Sequence, residues 1–317
     1  MKQAVTPLRL GSDRISSLLV RYAIPSIIAM TSSSLYNIVD SIFIGHGVGP
    51  IAISGVALSM PLMNIASAFG SLIGIGAAAL TSIRLGQGRR EAAEGVLGNV
   101  VLLNFLVAAL FTAVGLLLLD PILCFFGASD ATIGYARDFM QIILGGTIVT
   151  HMYLSLNEVI RASGYPRRAM TIMLTAVVLN CLLNPLFIFG FGWGIRGSAA
   201  ATVLAQWLSG IGTAVYTLVR CPELRARREE RRITGSMLRE LLSASVLTCL
   251  QQSVMNLGIL MVQGRINSFG PVIMAAFAAA VKIDSFAYMP LQDFGNAFST
   301  FIAQNYGAQQ PERARKG

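Results

Sequence analysis

Long apolar runs alternate with short polar stretches along almost the whole of this 317-residue chain. A helix needs about 20 predominantly apolar residues to cross the hydrocarbon core of a bilayer. Runs of that length or longer predict eight membrane-spanning helices, and several exceed the minimum, which allows tilting or bending. The predicted spans cover residues 15–44, 51–83, 95–119, 134–160, 168–191, 197–219, 238–264 and 272–303.

The polar connections between these spans alternate in charge. Arginines concentrate after the second, fourth and sixth spans, whereas the other connections carry few charged residues. By the positive-inside rule, we predict that the N-terminus and the even-numbered connections are cytoplasmic. The arginines concerned are Arg84, Arg89, Arg90, Arg161, Arg167, Arg168, Arg220, Arg225, Arg227, Arg228, Arg231 and Arg232.

The longest polar segment divides the chain into two unequal parts. It includes "RCPELRARREERRITG", and we interpret residues 220–237 as a cytoplasmic linker. Residues 1–219 are then a lobe of six spans. Residues 238–317 are part of a second lobe, represented by two spans.

An internal repeat agrees with this division. Shifting the sequence by 221 residues lays "GVGPIAISGVALSMPL" on "SFGPVIMAAFAAAVKI" and pairs Gly86 with Gly307 without a gap. An even number of helices separates the copies, which predicts parallel repeats related about the membrane normal. Because the second copy stops after two helices, we expect a parent protein of about 440–460 residues.

Composition supports a membrane protein. The chain is 54% hydrophobic and 12% charged, with mean hydropathy +0.66, whereas soluble domains carry about 25% charged residues. The net charge of +9 lies in the connections rather than along one helix, so it indicates topology and not nucleic-acid binding. The four cysteines show neither metal-site nor disulfide spacing, and no clustered catalytic set indicates an enzyme.

Several motifs resemble a known transporter family. Pro25 and "YNIVDSIFIG" occur in the first span, "LGQGRREAA" follows the second, "LNCLLNPLFIFG" lies in the fifth, and "PLQDFGNAFSTFIAQNYGAQQPERA" comes near the end. Together they are similar to multidrug and toxic compound extrusion (MATE) transporters, and above all to the bacterial NorM-like and DinF-like branches.

The resemblance implies an all-α membrane protein of two parallel six-helix lobes around a central cleft. Of these, this chain would hold the complete N-lobe and two helices of the C-lobe. The implied function is export of cationic or amphipathic small molecules by antiport with protons or sodium, without another cofactor. We expect a monomer in the bacterial cytoplasmic (inner) membrane, in contact with lipids. A lipid-linked-sugar or lipid flippase of the same wider superfamily is the alternative.

One carboxylate, Asp40, lies inside the first span. An intramembrane acid is costly and usually faces a cavity with polar partners. Tyr36 lies one turn away on the same helix face, and Asn180 and Asn184 share a face of the fifth span. With Thr202 of the sixth span, these types match the N-lobe cation site that the resemblance implies.

Within that site Asp40 is the single titratable carboxylate, because Asn184 is an amide where some relatives have an acid. This favours a one-proton cycle or a weak sodium site at Asp40. The alternative is structural. Asp40 could simply bond a neighbouring span, and the two asparagines could join helices as interhelical hydrogen bonds do elsewhere.

Two further sets of residues complete the sequence predictions. A candidate second ion site comprises Gln251, Gln252, Lys282 and Asp284, although the resemblance would place a glutamate where the two glutamines stand. Pro25 and Pro185 are predicted kink points, because each removes a backbone hydrogen bond from its helix.

Overall fold

The computed structural model describes residues 14–220 and 294–317, together with 235–236, 238–246 and a few single positions between 250 and 291. Its first part consists of seven α-helices. They are α1 (Ile15–Gly47), α2 (Pro50–Gly86), α3 (Arg90–Leu117), α4 (Leu119–Phe125), α5 (Ile133–Ala162), α6 (Pro166–Pro185) and α7 (Gly194–Arg220). Residues 238–246 and 294–307 are also helical, and a last short helix covers Pro311–Lys316.

All six spans predicted before the linker are helices, with ends that differ by a few residues. The short helix α4 was not predicted, because the apolar run at its start was assigned to the third span. Leu118, with φ −105° and ψ 14°, separates α3 from α4. Asp120 and Pro121 then lie in the first turn of α4, where an acid complements the helix dipole and a proline costs no hydrogen bond.

The helices have the length and composition of membrane spans. Among the described residues, four helices are long and apolar enough to cross a bilayer: Pro50–Gly86, Gly95–Leu117, Ile133–Ala162 and Pro166–Gly190. Helix α1 contributes two shorter apolar stretches, Ile15–Ala29 and Ile38–Gly47. They are separated by a stretch that includes the polar sequence "TSSSLYN", and Asp40 lies in the second of them.

Helix α5 is central to the packing. It packs most extensively against α2 and also contacts α3 and α7, while α1 packs mainly against α6. Small residues allow this close approach, as is usual between helices in lipid. At Gly146 of α5, for example, a Cβ atom would lie 2.6 Å from Val203 of α7.

The described parts of residues 238–317 contact the helices of residues 14–220. Leu241 packs in a buried cluster with Ile73 and Val100, and Phe301 packs with Leu18 and Tyr22. The helix at 294–307 runs four residues beyond the end predicted for the eighth span. The rest of the seventh and eighth spans lies outside the described residues, and so do Cys221 and Cys249 of the cysteine prediction. Cys124 and Cys181 are free.

The two predicted kink points differ in their surroundings. Pro25 is buried inside α1, which remains helical on both sides of it. Pro185 ends α6 and is followed by a π-helical turn, Leu186–Gly190, in which Phe191 N–H donates to the Leu186 carbonyl at 3.0 Å. A proline that lacks an N–H donor is one recognised cause of such a change in helix geometry. That the helices are kinked at the two prolines remains a prediction.

Candidate functional site

Three helices bring the five predicted site residues together. Asp40 lies on α1 and is 8% exposed, with Tyr36 one turn earlier. Asn180 and Asn184 are buried on α6, and Thr202 is buried on α7. We call this set, together with Ser198, the Asp40 cluster.

Two neutral groups donate hydrogen bonds to the Asp40 carboxylate. Asn184 Nδ2 donates to Asp40 Oδ1, and Ser198 Oγ donates to the same oxygen at 2.8 Å. Within the described part of the chain, Asp40 takes part in no ion pair. The acid is therefore buried with hydrogen-bond donors but without a countercharge there.

The remaining residues extend the network away from the carboxylate. Asn184 Nδ2 also lies 3.2 Å from Asn180 Oδ1, which joins the two amides. Asn180 Nδ2 donates to Thr202 Oγ1 at 3.0 Å and lies 3.3 Å from Tyr36 Oη. The two hydroxyls, of Tyr36 and Thr202, are themselves 3.0 Å apart. A continuous chain of hydrogen bonds thus links α1, α6 and α7.

One acceptor in this cluster has no donor. Asn184 Oδ1 is buried and makes no hydrogen bond to the described residues. Together with the carboxylate of Asp40 it offers oxygen atoms, the ligand type that hard cations prefer. These oxygen atoms therefore suit either a proton on the carboxylate or a small hard cation.

Local structure explains how Ser198 reaches the acid. Gly197 lies against the backbone of Phe187 in the π-helical turn, where a Cβ atom would be 2.9 Å from the Phe187 carbonyl carbon and oxygen. The first turn of α7 can therefore approach the end of α6 closely, and Ser198 is placed beside Asp40. Ser198 was not among the predicted site residues, although its position four residues before Thr202 puts both on one helix face.

The candidate second ion site is not part of this arrangement. Its residues, Gln251, Gln252, Lys282 and Asp284, all lie outside the described residues. That site remains a prediction.

Comparison with protein-family models gives a match to MatE over residues 25–186 and 244–316. This chain belongs to the MATE family. The two matched segments begin 219 residues apart, which is close to the 221-residue offset of the internal repeat.

Curated relatives of this MATE protein are transporters by name. The FAD transporter of Shewanella oneidensis is 27% identical over 96% of this chain and 68% of its own length. The multidrug export protein MepA of Staphylococcus haemolyticus is 23% identical over 91% of this chain and 64% of its own length. The chain thus spans about two thirds of the length of these relatives.

A solved structure has the same fold. The MOP superfamily transporter from Pyrococcus furiosus matches with a TM-score of 0.91 and 23% identity, over 99% of this chain and 70% of that one. The multi-pass, all-helical MATE fold predicted from the sequence is thereby confirmed. The division of the chain into two lobes and a linker stays a prediction.

Proposed function

We propose that this protein is a secondary active efflux transporter that exports cationic or amphipathic small molecules by antiport with protons or sodium. The observation that carries the proposal is the buried carboxylate of Asp40, which has neutral hydrogen-bond donors but no countercharge within the described part of the chain. Intramembrane acids in such surroundings typically mark ion or substrate pathways.

The hydrogen bonds suggest how ion binding changes the site. An ionised carboxylate only accepts hydrogen bonds, whereas a protonated one also donates. A proton on Asp40 therefore requires the donors from Asn184 and Ser198 to rearrange. Because Asn184 is linked through Asn180 to Thr202, the rearrangement extends from α1 through α6 to α7. A sodium ion held by Asp40 and Asn184 Oδ1 would act on the same bonds.

The substrate class is proposed from charge. A carboxylate on the transport pathway would attract cations and repel anions, which favours cationic compounds over an anionic dinucleotide such as FAD. The name of the Shewanella relative nevertheless makes FAD the natural competitor in a test. A lipid flippase remains the alternative outside small-molecule export.

The decisive experiment is transport in proteoliposomes that contain the complete gene product. Proton and sodium gradients are imposed separately, and a panel of cationic dyes, FAD and a fluorescent lipid is offered. We expect gradient-dependent movement of cationic dyes. Movement of FAD or lipid alone, or dye movement that ignores both gradients, would contradict the proposal.

The proposed orientation has its own test. We propose that the protein lies in the bacterial cytoplasmic membrane with the N-terminus and residues 220–237 on the cytoplasmic side. A single cysteine in that segment, in a variant without the native cysteines, should resist an impermeant thiol reagent in intact cells. It should react after permeabilisation. Rapid labelling from outside would reverse the topology.

A further inference from the structure

Two glycines occupy equivalent positions in the two repeats. Gly86 is the last residue of α2, and Gly307 is the last residue of the helix at 294–307. The 221-residue offset of the repeat relates the two positions.

Each glycine faces a backbone carbonyl of the other helix. A Cβ atom on Gly86 would overlap the carbonyl oxygen of Gln304, and a Cβ atom on Gly307 would overlap the carbonyl oxygen of Ile83. The repeat offset also relates Ile83 to Gln304. The contact is therefore reciprocal, as in an interface with two-fold symmetry.

The obstructing atoms belong to ordered helix ends. The Ile83 carbonyl accepts a hydrogen bond from Gln87 N at 3.0 Å, and the Gln304 carbonyl accepts one from Ala308 N at 2.9 Å. Because carbonyls in capped helix turns cannot move aside like a side chain, no rotamer change would make room for a methyl group. Only glycine at both positions permits this approach of the two helices.

Other contacts between the repeats lie near the same end of α2. Arg84 pairs with Glu240 at 2.6 Å, and a Cβ atom on Gly76 would lie 3.1 Å from the backbone nitrogen of Ser245. Arg84, Arg89 and Arg90 lie at or just after this end of α2, and we call it the arginine-rich end.

We infer that Gly86 and Gly307 form a latch that closes the arginine-rich end of the cleft between the repeats, and that opening of this end separates them. This inference rests on the proposed transport function in one respect: a transporter must alternate between a state in which this end is closed and a state in which it is open. A substitution that adds a Cβ atom should disfavour the closed state and leave the open state unstrained.

The test measures the distance between the two helix ends directly. Gln87→Cys and Gln310→Cys, both at exposed positions, carry spin labels in the complete gene product without its native cysteines, reconstituted in lipid. Gly86→Ala and Gly307→Ala are added singly. In each variant the ratio of short to long distances should fall at least about fivefold, the change that corresponds to about 1 kcal/mol of overpacking.

Two matched controls separate a latch from a general effect of alanine. Gly295 lies on the same helix as Gly307, and Gly98 lies on α3. Among the described residues, a Cβ atom at either position would meet nothing within 4 Å. Gly295→Ala and Gly98→Ala should leave the distances unchanged.

The latch also predicts that both variants fold, because the open state accommodates a methyl group. Unchanged distances in Gly86→Ala and Gly307→Ala would overturn the inference. So would misfolding of both variants while Gly295→Ala folds. Since this readout needs no substrate, a failure of the proposed transport function leaves the result interpretable.

Discussion

The Asp40 cluster and a second buried polar cluster, both among the described helices α1–α7, differ in what their side chains bind. In the Asp40 cluster, side chains bind other side chains across α1, α6 and α7. The second cluster joins α5 to α2 and α3. We call it the His151 cluster, and it consists of His151, Ser155 and Asn104 with the carbonyls of Ala66 and Gly70.

The His151 cluster binds mainly backbone. His151 Nε2 donates to the Ala66 carbonyl at 2.8 Å, and Ser155 Oγ lies 2.9 Å from the Gly70 carbonyl. The two donors are one turn apart on α5, and the two acceptors are one turn apart on α2. This match fixes the register between the helices that share the most extensive contact.

The difference separates two uses of buried polarity. A backbone carbonyl within a helix keeps its place, so bonds to it hold helices together. Bonds between side chains can exchange partners when one of them gains a proton or a cation. We therefore expect the Asp40 cluster to control transport and the His151 cluster to control stability.

The largest expected effect is the loss of ion-driven transport in Asp40→Asn. The amide keeps the size of the side chain but cannot titrate, so gradient-driven dye export should fall to the level of empty liposomes. The melting temperature should not fall, because the substitution removes a buried charge that lacks a countercharge among the described residues.

Asp138→Asn is the matched control for Asp40→Asn. Asp138 pairs with Arg196 at 2.8 Å at the surface of the bundle, where an ion pair contributes at most about 1 kcal/mol. The Asp138→Asn variant should export dye normally. Wild-type export by Asp40→Asn, with an unchanged response to both gradients, would make Asp40 a structural residue like those of the His151 cluster.

Gly70→Ala should have the next largest effect, on stability. A Cβ atom there would lie 2.8 Å from His151 Cδ2 and 3.2 Å from His151 Cα. Because the backbone of α5 cannot move aside freely, we expect overpacking of about 1–3 kcal/mol, measured as a lower unfolding midpoint in detergent. Protein that still folds should keep its response to the ion gradient.

Gly145→Ala provides the comparison for Gly70→Ala. Gly145 lies on α5, and no described residue comes within 4 Å of a Cβ atom there. The Gly145→Ala variant should be as stable as the wild type. If Gly70→Ala instead folds normally but loses its ion response, the two clusters are not separate in function.

Ser155→Ala should have a smaller effect of the same kind. It removes the hydroxyl that lies within hydrogen-bond distance of the Gly70 carbonyl and of Asn104 Oδ1, and whose single proton can bond one of them at a time. Hydrogen bonds between membrane helices contribute about 0.6 kcal/mol on average and at most about 1.7 kcal/mol. The free energy of unfolding should therefore fall by an amount in that range, measured by thermal unfolding in detergent. If Ser155→Ala loses ion-driven transport but keeps the wild-type stability, the His151 cluster also takes part in coupling transport to the ion gradient.

The two clusters also show what sequence patterns can predict. Asp40 was found because a carboxylate stands out within an apolar run, and Tyr36 and Asn184 followed from helical spacing and the family resemblance. Ser198 and Ser155 were missed, because serine is common in membrane helices and hydropathy does not show which neighbouring group a serine side chain contacts. His151 was missed for a related reason: its partner is a carbonyl, which every residue has.

The local irregularities set a second limit. Hydropathy predicted helices in all six segments before the predicted linker, since a long apolar run favours a helix that can cross a bilayer. It did not reveal the break at Leu118 or the π-helical turn after Pro185, which depend on backbone angles rather than on polarity. The π-helical turn matters for the site, because it meets Gly197 and so positions Ser198.

The smallest expected effect sharpens the comparison from within the Asp40 cluster. Asn180 does not contact Asp40 directly but acts through Asn184, and it also bonds Thr202 at 3.0 Å. In Asn180→Ala, water can take the place of the amide among the polar groups that remain. A neutral hydrogen bond contributes about 1 kcal/mol net, so the ion concentration for half-maximal export should change less than about tenfold. Asn184→Ala removes a direct hydrogen bond to the Asp40 carboxylate and should shift the ion concentration for half-maximal export further. Equal shifts in the two variants, or complete loss in Asn180→Ala, would mean that the cluster acts as one rigid unit, as we expect only of the His151 cluster.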